Sequence, residues 1–423
     1  MIKKFFPLLF GFLFASFMVT SGFAQTDFSG MKNVPSENGT EGTYQRFSPL
    51  SIKSAPDFLN SSDATNGGTD IKGNPGGVAN ITSIPNFSGS FTANGQTFPF
   101  TMIGNNPALG HKTDIPTHIV AVSLQLQNAD LVTTTTVSVA PFEQLTLNSP
   151  NFEPADFTSG NNVQFGDAVQ RAEFFNSMKQ NWHTNLNPVT IVDQIAINVP
   201  RFVTVNLNGT PTQVRTYFTG TAPDGSIFVL LLSNFFNQQI FNLVNNEINA
   251  SNYNTNAINI ALFPNTFLFS LSRSGGIGSC CVLGFHTFFF DPSTTPQPRW
   301  IFAFASWISP GLFSGGFEDV TALSHELSES FNDPFVNNIV PRWTFPGEPG
   351  VCQGNLETGD PVEVLENATV SVPIKERSNL FTYHPQTEAL LQWFEQGPTS
   401  DALDGAFSYP DTSALTHSAV PCP

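Results

Sequence analysis

The residues with the clearest chemical use lie in one segment, Glu318-Asp-Val-Thr-Ala-Leu-Ser-His-Glu-Leu-Ser-Glu-Ser-Phe-Asn-Asp-Pro. It reads as a helix, with acidic residues at its start to suit the positive end of the helix dipole and Pro334 to end it. Val320, Leu323, Leu327 and Phe331 form one apolar stripe. His325 and Glu329, one helical turn apart, fall on a different, polar face, where an imidazole and a carboxylate can share one metal ion. Glu326, next to the first of these ligands, is placed to act as a general base on an attacking water. Catalytic zinc takes three protein ligands and keeps one position open, and carboxylate oxygen is an acceptable ligand, so Zn²⁺ is the expected cofactor. A set with two carboxylates also tolerates Mn²⁺ or Ca²⁺.

This segment resembles the HExxH helix of zincin metallopeptidases, with Glu329 standing where the second histidine would be, which makes it HExxE. A wider set of residues resembles the phosphate-induced protein 1 (EXORDIUM-like) family of secreted proteins and its bacterial relatives. The set is Gly284-Phe-His-Thr, Ser324-His-Glu-Leu-Ser-Glu with Asn332-Asp-Pro, and Cys352 followed by Glu357-Thr-Gly-Asp. The resemblance spans roughly residues 85–423, is strongest over 280–395, and includes Asn94-Gly95 and Phe165-Gly-Asp-Ala-Val-Gln-Arg. It implies a secreted, zincin-like domain with extracellular growth or cell-surface roles, and implies no particular reaction. The third ligand is expected from a later loop, as Glu357 or Asp360, held nearby if Cys352 bridges back to Cys280 or Cys281.

Three further side chains have a structural reading beside the chemical one. His286, between Phe285 and Thr287 in an apolar strand, reads first as a hydrogen-bonded core histidine and second as a ligand. His384, in Tyr-His-Pro-Gln, reads as a turn histidine that can alternatively reach a metal or an oxyanion. Asp333 is either a ligand near the same helix face or a cap before Pro334. A nucleophile elbow, a P-loop and a dinucleotide glycine fingerprint are all missing from the sequence.

The 423 residues carry 33 acidic and 16 basic side chains, a formal net charge of −17 that disfavours nucleic acid or an anionic membrane as partner. Hydrophobic residues make up 40%, with 43 Phe, enough to bury a core. Residues 1–24 read as a signal peptide, with Lys3 and Lys4, an apolar run from Phe5 to Val19, and Gly-Phe-Ala at the cleavage site. The expected location is therefore extracellular or periplasmic, with no membrane span after leader cleavage. Export also allows Cys280, Cys281, Cys352 and Cys422 to oxidise. A bridge between adjacent cysteines is a strained ring, so pairings of Cys280 and Cys281 with Cys352 and Cys422 are expected.

Residues 25–80, rich in Ser, Asn, Gly, Thr and Pro, read as a flexible segment or propeptide. An α+β domain is expected over 81–340: a hairpin around Asn94-Gly95, a strand over Ile115–Leu126, a helix over Phe165–Lys179 with a solvated polar face, a helix over Asn234–Ile248, and strands over Ile258–Phe263, Phe285–Phe290 and Trp300–Trp307. The overall expectation is a zincin-like mixed β-sheet with an active-site helix. Residues 341–423 read as a turn-rich, disulfide-tied lobe with one helix over Thr387–Phe394. The function these residues favour is a secreted zinc-dependent hydrolase acting on a peptide or extracellular polymer. Its rival is a non-catalytic extracellular binding or cell-surface protein with a structural metal or none, favoured by a closed site or by Glu326 pointing away.

Overall fold

The computed structural model describes residues 84–157, 162–207, 209–290, 298–313, 315–346, 350–376 and 379–422. The expected leader and the 25–80 segment lie outside the described residues. The first element is the expected hairpin, Asn86–Ala93 (β1) with Gln96–Ile103 (β2). Asn94 and Gly95 both take positive φ, 51° and 77°, as a two-residue turn matching the strand twist requires.

The main sheet has six strands. In chain order they are Lys112–Gln127 (β3), Thr133–Val137 (β4), His183–Val199 (β5), Ile258–Pro264 (β6), Gly284–Phe290 (β7) and Arg299–Trp307 (β8). Across the sheet they run β7-β8-β6-β3-β4, with β5 alongside β3. β6 is parallel to β3 and β8, and β3 is parallel to β5, while β7 and β4 pair antiparallel. Together with its helices this is a mixed, strand-dominated α+β arrangement.

Side-chain alternation builds the layers. Ile258, Ile260, Leu262, Ile301, Ala303 and Ala305 share a core with Leu323, Leu327 and Phe331 of the helix Thr321–Asn332 (α3). The intervening Ala261, Phe263, Phe302 and Phe304 meet Phe236, Ile240, Leu243 and Val244 of the helix Ser233–Asn249 (α2). β6 is buried along its whole length because helices cover both faces of the sheet. Ala303 and Ala305 keep the surface under α3 low, so the helix lies close to the strands.

The helix Phe165–Glu173 (α1) is shorter than expected, and its polar face is buried, not solvated. Tertiary partners explain this. Asp167 pairs with His183 Nδ1 at 2.7 Å and accepts the Thr184 N–H, Gln170 donates to Ile103 O, and Glu173 accepts the Leu391 N–H at 2.7 Å. Gly166 sits on the Phe331 ring, where an added Cβ would come within 2.6 Å. α1 is thereby locked against α3.

The carboxy-terminal residues share the core of α3 through Trp343, Leu356, Tyr383, Leu391 and Trp393. The expected helix over Thr387–Phe394 is only Leu391–Phe394, because Glu388–Ala389 pairs as a strand with Ser408–Tyr409. The disulfides also differ from expectation, being Cys352–Cys422 and the adjacent Cys280–Cys281. Strand register explains the first: Thr344 pairs with Cys352, while the Cys422 N–H donates to Arg342 O, so one strand, Ile339–Thr344, brings both cysteines together. A link across 70 residues stabilises the fold by about 4 kcal/mol through the entropy it removes from the unfolded chain. Cys280 and Cys281 lie on Ile277–Val282, in a separate four-stranded sheet, away from that strand. Among the described residues, no helix is long and apolar enough to cross a membrane.

Candidate metal centre

All twelve residues of α3 are buried, because the apolar stripe packs on the sheet and the polar face is roofed by residues 356–360 and 386–388. Glu318 and Asp319 precede the first turn instead of entering it. There Asp319 Oδ1 accepts the Val320 N–H at 2.6 Å, and Thr321 Oγ1 donates to Glu318 O. On the polar face, His325 Nε2 lies 3.1 Å from Glu329 Oε1, as the four-residue spacing foretells.

His286 joins this pair through strand alternation. Phe285 faces α2, so Gly284 and His286 face α3. His286 Nδ1 lies 3.1 Å from Glu329 Oε2 and 3.8 Å from both Glu326 Oε2 and Glu357 Oε2. It is both a core histidine and a member of the site. Gly284 is a packing requirement here, since an added Cβ would lie 2.6 Å from Glu326 Oε1 and 2.9 Å from Phe304 O.

The roof is fastened to the helix. Thr358 Oγ1 meets Ser328 Oγ at 3.1 Å, and the Gly359 N–H donates to Glu329 Oε1 at 3.2 Å. This turn delivers Glu357 and Asp360, the expected third ligands, with Asp360 Oδ1 3.7 Å from His325 Nε2. Asp360 Oδ2 accepts from Gln353 Nε2. Gln386 orients His325: its Oε1 lies 3.2 Å from Nδ1, its Nε2 donates to Gly359 O, and its backbone N–H donates to Ser324 Oγ. An imidazole whose Nδ1 is engaged in this way turns Nε2 toward the carboxylates, as metal-binding histidines do.

His286, His325, Glu326, Glu329 and Glu357 are all 0% exposed. Glu326, Glu357 and Glu388 have no hydrogen bond to either carboxylate oxygen, and Asp360 Oδ1 and Asp333 Oδ2 also lack one. Burying charge this way is costly unless a cation compensates it. Without one, burial pushes Glu326 up to about 7, and it pushes Glu357, Asp360 and Glu388 well above the ordinary carboxylate range. Burial raises Glu329 too, but His325 and His286 outweigh it and hold this carboxyl at about 2. The donor set of two imidazoles and several unpartnered carboxylates can hold a divalent metal ion.

Of the expected site residues, the structure brings together His325, Glu326, Glu329, Glu357, Asp360 and His286. Asp333 stands beside them as a cap whose Oδ1 accepts the Asn337 and Asn338 N–H groups. His384 is elsewhere, paired with Asp319 at 2.8 Å and Glu318 at 3.1 Å near the start of α3. Gln386 and Glu388 were not anticipated, because no local pattern marks them.

Gly359 gives the site a simple mechanical test. A Cβ on it would lie 2.2 Å from Nδ1 of the fully buried His325 ring. Gly359→Ala is expected to cost about 1–3 kcal/mol in chemical denaturation and to weaken metal binding, whereas Gly354→Ala, whose Cβ meets only ordinary contacts, stays within about 0.5 kcal/mol. Equal behaviour of the two variants would refute this packing.

Comparison with protein-family models, curated proteins and solved structures gives no match for the chain.

Proposed function

We propose that this chain is an exported, zincin-like, metal-dependent hydrolase acting on peptide bonds, with a peptide or extracellular polymer as its substrate class. The observation that carries the reading is the position of Glu326. Its carboxylate has no hydrogen bond and faces both histidines, 4.0 Å from His325 and 3.8 Å from His286, whereas Glu329 is held by His286 and the Gly359 N–H. His325 and Glu329 would hold Zn²⁺ with His286 or Glu357 as the third ligand. Bound Zn²⁺ supplies Lewis acidity, which lowers the pKa of a water and polarises a carbonyl. The chain's own residues supply the rest. Glu326 takes the proton from the attacking water and returns it to the leaving amine. Gln386 fixes the His325 ring, and the Gly359 N–H fixes the Glu329 carboxylate.

A second reading, a non-catalytic extracellular protein with a structural metal, is favoured by one observation: His286, His325, Glu326, Glu329 and Glu357 are 0% exposed, which leaves a substrate no open surface at the ligands. Incubation with a mixture of unfolded protein substrates, read by mass spectrometry, separates the two. The hydrolase reading expects new termini whose formation stops with 1,10-phenanthroline and resumes with added Zn²⁺. Stoichiometric bound metal without any cleavage leaves the structural reading.

A further inference from the structure

Glu329 does not serve one histidine. Its Oε1 lies 3.1 Å from His325 Nε2 and its Oε2 lies 3.1 Å from His286 Nδ1, so the two oxygens of one carboxylate face two imidazoles on different elements. Each half has a private carboxylate. Glu357 Oε2 lies 3.8 Å from His286, and Asp360 Oδ1 lies 3.7 Å from His325. His286, Glu329 and Glu357 form one group whose donor atoms fall within 4.8 Å of one another, and His325, Glu326 and Glu329 form another. Glu326 spans both halves at the longer distances of 3.8 and 4.0 Å.

Charge favours the same division. Glu326, Glu329, Glu357, Asp360 and Glu388 are buried together, and among the described residues their ion pairs are with His286 and His325 only. With all five carboxyls ionised and the imidazoles neutral, one divalent cation leaves a buried excess of about three negative charges and two leave about one. The unpartnered oxygens are also distributed between the halves, with Glu357 on one side and Asp360 Oδ1 on the other.

We propose that the centre holds two divalent cations bridged by Glu329, one against His286 and Glu357 and one against His325 and Asp360. This rests on the metal-centre part of the proposed function and not on hydrolysis. Such pairs sit about 3.5–4 Å apart, a separation one carboxylate can span. The halves are unequal, because Gln386 holds the second nitrogen of His325 while His286 Nε2 has no hydrogen-bond partner. A missing support of this kind weakens binding by about 10- to 100-fold, so the His325 half fills first.

The test is native mass spectrometry of the metal-stripped mature chain titrated with Zn²⁺ alone and, separately, with Mn²⁺ alone. Ions retained by a His286→Ala, His325→Ala double variant are subtracted as surface binding. The expected result is two ions above that background, the second about 10- to 100-fold weaker. His286→Ala keeps the tight ion and loses the weak one, and Glu329→Ala loses both. Saturation at one ion overturns the proposal while leaving the metal-centre reading intact; no ion removes both. The wild-type count decides between one and two even where a variant fails to fold.

Discussion

Glu326→Gln is expected to keep Zn²⁺ bound and to lower peptide hydrolysis by about 10²- to 10⁴-fold. The side chain is close to isosteric, and it replaces a carboxyl that burial pushes up to about 7 with a neutral amide, so folding should not suffer. What disappears is the capacity to accept a proton from the attacking water. The His325–Glu329 and His286–Glu329 pairs, both at 3.1 Å, are left untouched, which is why metal content should hold. The measurement is kcat/KM on a peptide found by the cleavage screen, beside zinc content of the same preparation. A variant that retains full activity would remove Glu326 from the chemistry. A variant that loses zinc would show that Glu326 is a ligand and not a base.

The second large effect concerns stability. In metal-stripped protein, stability is expected to fall as pH rises from about 5 to 7. Burial pushes Glu326 from 4.5 up to about 7 and pushes Glu357, Asp360 and Glu388 well above their ordinary values. Over that window the folded state keeps protons that the unfolded chain has released, and each such group destabilises the fold as pH climbs. The histidines act in the same direction. Burial lowers them, but Glu357 beside His286 and Glu329 beside His325 raise them further, so their stabilisation is complete below 6.5 and fades above it. Glu329, held at about 2, works in the opposite sense, with a contribution present above 4.5 and lost as pH falls from 4.5 to 2. The stripped protein should therefore be most stable near pH 5. Zn²⁺ competes with those protons and, at a thousandfold over its Kd, adds about 4 kcal/mol. Melting curves with chelator and with Zn²⁺ at pH 5 to 8 should diverge as pH rises; coincident curves throughout would contradict the account.

Much of the site was legible because helical spacing alone places His325, Glu326 and Glu329 together, and the Asn94-Gly95 turn announces its hairpin. His286 was half legible. The apolar strand around it is visible in sequence, but which face it takes depends on Phe285 packing against α2. Gln386 and Glu388 were hidden because their segment is shaped by pairing with Ser408–Tyr409, a contact without a local signature. The polar face of α1 was misread for a similar reason, as its partners Thr184 and Leu391 are remote in sequence. The disulfide pairing followed strand register around Thr344, which spacing between cysteines does not encode.

The most direct measurement is metal content by elemental mass spectrometry on the purified protein, beside a His325→Ala, Glu329→Ala double variant. The wild type is expected to hold at least one equivalent of Zn²⁺ and the variant to lose it. No metal in either protein, even after Zn²⁺ is supplied, would contradict this expectation.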